Sequence, residues 1–188
     1  RKSGVKDTVI IDAEDTDVVA LSAKVAHEVE GDQGIKRKKE VFSCKHLCDQ
    51  SMASIIIPLH CQTGSDFTSG FFGHSKKSVM KQMQNSDEIA EYMLLAEVGQ
   101  NIPIQPQVQR NLEKFTIKVV YNDKSSRNLD EARTKKWNDM KRKSTQRLPP
   151  NSDSHKHHAT RVNFISYMFS NYDKGEGPPS PLSNGWNL

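Results

Sequence analysis

Three aspartates, Asp15, Asp17 and Asp66, have types and positions suited to metal chemistry. Asp15 and Asp17 follow the apolar run Thr8-Val9-Ile10-Ile11 and the stretch Asp12-Ala13-Glu14, and Asp66 lies in a segment bounded by Gly64 and Gly70. Hard divalent cations such as Mg²⁺ and Mn²⁺ require oxygen ligands and are usually held by one or two carboxylates together with substrate phosphates. A two-residue spacing that sends two carboxylates toward one point is adequate for part of such a site. Open α/β sheets gather ligands beyond the carboxyl ends of their strands, which is where this pair would stand. Two ions clamping a phosphodiester would stabilise both the attacking and the leaving oxygen. The same residues also serve a plainer purpose. Asp15 or Thr16 can be the N-cap of a helix beginning near Asp17, and Asp66 the cap of the next. Composition and spacing leave both readings open.

The elements that would position these groups follow from hydrophobic periodicity. Thr8 to Ile11 reads as a strand, Asp12 to Asp17 as an acidic loop, and Val18-Val19-Ala20-Leu21 as the opening of a helix. Val41-Phe42-Ser43 offers one further short strand. Ser54 to Cys61 is an apolar segment interrupted by Pro58, read as a buried helix or strand end, and the glycines from Gly64 to Gly73 form a turn feeding a helix N-terminus. Residues 86–99, and Ile104, Val108, Leu112, Phe115 and Val119, repeat at helical spacing and predict two amphipathic helices. Arg127 to Arg147 is so charged that it reads as a surface helix or partly disordered segment contributing little to a core. Leu148-Pro149-Pro150-Asn151 stops it, and Ser152 to Phe169 reads as a last helix with Val162, Ile165, Met168 and Phe169 on its apolar side. The Gly/Pro-rich tail from residue 173 is expected to run extended. The fold class is therefore α/β leading into mostly α, divided as a metal-site part (1–83), a helical extension (84–172) and a tail (173–188).

Other chemistry is less well supported. Cys44, His46 and Cys48, with His60 and Cys61 nearby, bring zinc to mind, but no Cys-x-x-Cys spacing is present, and scattered thiols with a core or capping histidine fit better. His155, His157 and His158 begin the last predicted helix and could meet phosphate or metal, but solvated polar residues near a helix start are the ordinary explanation. There is no Gly-x-Ser-x-Gly elbow, Walker A loop or dinucleotide fingerprint.

The chain of 188 residues is 35% apolar and 27% charged, which suits one soluble domain or part of a larger one. No apolar run is long enough to cross a bilayer, and no charged-then-apolar start suggests secretion. Three cysteines cannot all pair internally, so free thiols in an intracellular, reducing setting are expected. The net charge of +4 is modest, but basic residues clump at Lys36-Arg37-Lys38-Lys39, Lys76-Lys77, Lys135-Lys136 and Lys141-Arg142-Lys143. Such clumps can neutralise phosphates, although each taken alone also reads as a solvated face.

The string from Asp12 to Leu21, Asp-Ala-Glu-Asp-Thr-Asp-Val-Val-Ala-Leu, resembles the EDxDxL segment of flap endonucleases and XPG-type nucleases of the PIN superfamily. Gly64-Ser65-Asp66-Phe67, followed by Gly73-His74-Ser75-Lys76-Lys77, resembles that family's G-[SC]-D-Y metal-binding turn and the helix-turn-helix that grips duplex backbone. A nearer likeness is to mobile-element-like animal proteins with the pattern DTDV…LHxxTGCD…GKGKK, echoed over most of this chain. The resemblance implies the C-terminal part of a PIN-like nuclease domain and Mg²⁺ or Mn²⁺ held by Asp15, Asp17 and Asp66, with Glu14 as an extra or supporting ligand. It further implies phosphate binding at Gly73, Lys76 and Lys77, a nucleic-acid partner, most simply DNA, and a nuclear location. Ser65 stands where the nearer relatives mostly carry Cys, and Phe67 where the nucleases carry Tyr. The family also draws carboxylates from earlier strands, so a preceding segment is expected to supply the rest of a two-metal site.

Overall fold

The computed structural model describes residues 9–27, 33–37, 40–43, 49–84, 88–141, 143–171, 177 and 179–186. The chain forms two compact units, residues 1–57 and 58–188, with the division falling inside a single helix at Pro58. The reading from sequence drew its line at residue 83 instead.

In the first unit, strand β1 (Val9–Asp12) leads through an acidic loop to helix α1 (Thr16–Val25) and then to strand β2 (Gln33–Arg37), which pairs parallel with β1. Strand β3 (Glu40–Ser43) adds antiparallel to β2, giving the order β1-β2-β3. The parallel pair needs a crossover, and α1 supplies it. Ile35 and Ala26 are buried, with Ile11 and Val19 packed against them. The hydrophobic pattern named no strand at β2, only the basic clump that begins at Lys36. The polar composition of this segment hides a strand whose one strongly apolar residue, Ile35, does the burying, while Lys36 turns outward to an ion pair with Asp12 at 2.9 Å. That pair is exposed and contributes little to stability.

Helix α2 (Gln50–Gln62) begins at Asp49, whose carboxylate accepts from the Met52 backbone N–H at 2.8 Å. The second unit continues with α3 (Lys76–Gln84), α4 (Glu88–Leu95), α5 (Pro106–Phe115), a five-residue π-helical segment (Thr116–Val120), α6 (Leu129–Asp139), α7 (Ser152–Ser170) and a 3₁₀ turn (Pro181–Ser183). Side chains cap the ends as the residue types dictate: Asn128 accepts from the Glu131 N–H and Asn151 from the Ser154 N–H. Pro106 occupies the first turn of α5, where its missing N–H costs nothing. Val108, Leu112 and Phe115 bury the apolar stripe of α5. α6 is not the bare surface helix its composition suggested, because Leu129 and Ala132 are fully enclosed with Ile117.

α7 is the spine of this unit, with Ala159, Val162, Phe164 and Ile165 buried. Asn163, also buried, receives the Gly99 N–H on its side-chain oxygen at 2.9 Å and donates to the Asn101 carbonyl at 2.8 Å, fixing that turn to the helix. The approach is so close that a Cβ on Gly99 would lie 2.7 Å from the Ser166 Cβ, and Gly99 sits at φ +78°. The 3₁₀ turn carries Trp186 edge-on to Phe164, and Arg161 donates to the Gly185 carbonyl at 2.7 Å. Among the described residues no helix is long and apolar enough to cross a membrane. Gly99→Ala is expected to cost ~2–3 kcal/mol from the left-handed backbone and the clash together. A urea midpoint equal to that of the parent chain would show that the turn can move away from α7.

Candidate functional site

The loop between β1 and α1 presents Glu14 and Asp15 just past the carboxyl end of β1, and Asp17 follows in the first turn of α1. Asp15 is the N-cap of α1: its backbone is extended, and one carboxylate oxygen accepts from the Asp17 N–H at 2.8 Å. Glu14 and Asp15 are exposed and Asp17 is half-buried. The capping role and the ligand role are compatible, since a carboxylate has two oxygens and the cap uses one.

Asp66 belongs to the second unit, in a turn built on the end of α2. The last carbonyls of that helix are all taken: Leu59 O by Thr63 at 2.7 Å, Cys61 O by the Thr68 hydroxyl at 2.6 Å, and Gln62 O by His158 at 3.3 Å. With its proton on Cys61 O, the Thr68 oxygen accepts from the Ser65 N–H at 3.2 Å and from the Ser65 hydroxyl at 2.9 Å, and Ser65 in turn accepts from the Phe67 N–H. Ser65 is thus a structural member of the turn. Gly64 makes the turn possible: at φ +110°, a Cβ there would come within 2.8 Å of Gly70 Cα. Asp66 and Phe67 stand exposed at the tip. Asp66 does not cap α3; Ser75 holds that place, receiving the Ser78 N–H.

The expected glycine-lysine turn is present. Phe71 and His74 bridge across Gly73, which has φ +81°, and Lys76 and Lys77 open α3 with no acidic residue in its first turn. A helix N-terminus already carries partial positive charge, so two lysines there are unfavourable for the helix and favourable for an anion. Cys44, His46 and Cys48 lie outside the described residues, as do Lys38 and Lys39; His60 and Cys61 are buried in α2. Among the described residues, no group of three or more His, Cys, Asp or Glu side chains is placed to hold a metal ion.

Two histidines of α7, His155 and His158, correct the reading from sequence, whereas His157 is exposed as expected. His155 is 1% exposed, and its Nε2 lies 2.8 Å from the Thr116 hydroxyl. That hydroxyl gives its proton to Leu112 O at 2.9 Å and accepts from Gln62 Nε2 at 2.8 Å, so His155 must be its second donor and carries its proton on Nε2. The 3.4 Å approach of Gln62 Nε2 to His155 Nε2 is then two donors converging on one oxygen. Rings continue outward from His155 to His158, Phe71, Tyr121 and His74, with neighbouring centroids 4.6–6.0 Å apart. Spacing could have found the inward pair: His155, Ala159 and Val162 lie on one helical stripe. Burial holds both histidines neutral, moving His155 to about 3, with the neighbouring His158 adding to the effect, and His158 to about 4. It also pushes the Tyr121 phenol up to about 12 against the opposing field of Arg133.

Compared with protein-family models, curated proteins and solved structures, the chain matches none.

The buried histidines make stability depend on pH. Each titrates near 6.5 when exposed and far lower when folded. Between those values the unfolded chain binds more protons, so stability is full above 6.5 and falls as the pH drops toward 4. The expected loss between pH 7 and pH 5 is roughly 2 kcal/mol for each histidine. His155→Gln should remove about half of the slope, and equal unfolding midpoints at the two pH values in the parent chain would refute the assignment.

Proposed function

We propose that this chain is part of a divalent-metal-dependent, structure-specific nuclease-like protein that acts on nucleic-acid phosphodiesters. Asp15 and Asp17, with Glu14 beside them, are the cation ligands of the first unit, and Asp66 that of the second; Mg²⁺ or Mn²⁺ matches their oxygen chemistry. Gly73, Lys76 and Lys77 take the backbone phosphates. Catalysis by a two-metal mechanism calls for carboxylates beyond these. DNA is the preferred partner, and with it a nuclear location.

The observation that supports this best is the β1-α1 loop. A parallel β-α-β unit delivers two carboxylates beyond the carboxyl end of its first strand, the place where sheets of this type collect ligands. Asp66 adds a carboxylate held out on a turn whose own hydrogen bonds are complete without it.

A second reading, a nucleic-acid-binding module without catalysis, is favoured by the charge of the second unit. Residues 58–188 hold 18 Lys and Arg against 13 Asp and Glu. Such a module would bind with strong salt dependence through counterion release.

Asn caps helices as well as Asp does, so Asp15→Asn separates the two roles of this residue. Calorimetric titration of Mn²⁺, run beside cleavage of a labelled flap DNA, is expected to show weakening by tenfold or more in Asp15→Asn and in Asp66→Asn, with melting temperatures unchanged. Undiminished Mn²⁺ binding in both variants would leave Asp15 as a cap alone and remove the metal reading. Metal binding without cleavage would select the non-catalytic module.

A further inference from the structure

Residues 124–147 contain nine Lys and Arg but only three Asp and Glu, which more than accounts for the positive excess of the second unit. Beside this segment lies a polar cavity of about 190 Å³ lined by Tyr121, Asn122, Lys135, Lys136, Asp139 and Pro149. It is far roomier than one water requires. Asp123 also borders it, but that carboxylate is already satisfied. It accepts from Ser125 and Ser126, through backbone and hydroxyl groups, at 2.7–3.2 Å, and from Lys135 at 3.1 Å. Burial opposes its charge, and these hydrogen bonds outweigh that and hold it well below the usual carboxylate range. Lys135 is occupied in the same knot. Lys136 is exposed and has no ion pair among the described residues, so it is the cation left over, with exposed Asp139 the remaining carboxylate at the rim.

The cavity adjoins the Gly73 turn. The Tyr121 ring at its wall lies 4.6 Å from the His74 ring, and Lys136 is near enough to His74 to help desolvation lower its proton affinity. Two residues before His74, Phe72 is 59% exposed. Open space surrounds Gly73, where an added Cβ would meet nothing within 4 Å. An uncommitted lysine in a polar recess and an exposed aromatic ring on the turn that adjoins it form the pair of features that single-stranded nucleic acid uses. The backbone tracks cations while bases stack on aromatic faces. Duplex bases are already stacked on each other and gain nothing from such a ring.

We propose that the recess at Tyr121 and Lys136 is a phosphate subsite for a single-stranded nucleic-acid segment, and that Phe72 is the platform on which the adjacent base stacks. The proposal rests on the nucleic-acid partner proposed for this chain, though not on its metal.

Fluorescence anisotropy with a labelled oligothymidylate and a duplex of equal length tests it on the full chain, in chelator, so that cation binding at the aspartates plays no part. Lys136→Glu is expected to weaken single-strand binding by about tenfold and to flatten its salt dependence. Phe72→Ala, a change at an exposed side chain, is expected to weaken single-strand binding by about tenfold while leaving duplex binding nearly unchanged. Lys156→Glu, the same charge reversal on α7, serves as control and should have a much smaller effect. The proposal is overturned if Lys156→Glu matches Lys136→Glu, which would mean diffuse attraction that any polyanion or acidic protein could satisfy. It is equally overturned if Phe72→Ala binds single strands like the parent. Loss of cleavage with these binding differences intact would strike the nuclease reading and leave this one standing.

Discussion

The second unit depends on one oxygen atom. The Thr116 hydroxyl receives Gln62 from the end of α2 and His155 from the start of α7, and passes its own proton to Leu112 in α5. Three helices are thereby tied at a point with no access to water, where an unmade hydrogen bond costs ~1–3 kcal/mol. The amide oxygen of Gln62 has no partner there. Apolar packing alone tolerates slippage along a helix; this three-way contact does not, and it fixes which turn of α7 faces which turn of α2.

The same hydroxyl accounts for the irregular helical turn that begins at Thr116. A threonine bonded to the carbonyl four residues back perturbs the helical ladder, and the helix widens directly after it, the Tyr121 N–H reaching back five residues to Thr116 O. The widened segment ends in Tyr121 and in Asn122 at φ +51°. Those two residues line the recess, and Tyr121 carries the ring contact to His74. The core and the exposed surface are therefore linked through a short run of consecutive residues.

Much of this was legible in sequence, and the reasons for the exceptions are physical. The β1-loop-α1 unit, the Gly73 turn, α5 and α7 follow from β-branched runs, glycine punctuation and helical apolar spacing, all of which act locally. β2 was missed because Gln33-Gly34-Ile35-Lys36-Arg37 has one large apolar residue; the neighbouring strands, not its composition, make it a strand. α6 was undervalued because two buried positions suffice to dock a helix whose other faces are charged. His155 and His158 were read as solvated since histidines near a helix start usually are. Their spacing with Ala159 and Val162 marks the inward face, but the groups that satisfy them, Thr116 and Gln62, are distant in sequence and unreadable as partners before folding. Of the candidate site, the aspartates were named as candidates by type and spacing and the lysine turn by resemblance, while the recess beside Tyr121 depends on a helical irregularity that no periodicity announces.

Asp15 has a consequence for how such a chain can change over generations. A residue that only caps a helix is freely exchanged among Ser, Thr, Asn and Asp, because each offers an oxygen to the same N–H at similar cost. A residue that caps and also holds a cation has no such freedom, since of those four only Asp brings a negative charge. The variation tolerated at this one position would therefore record which duty selection has been keeping, the helix or the charge.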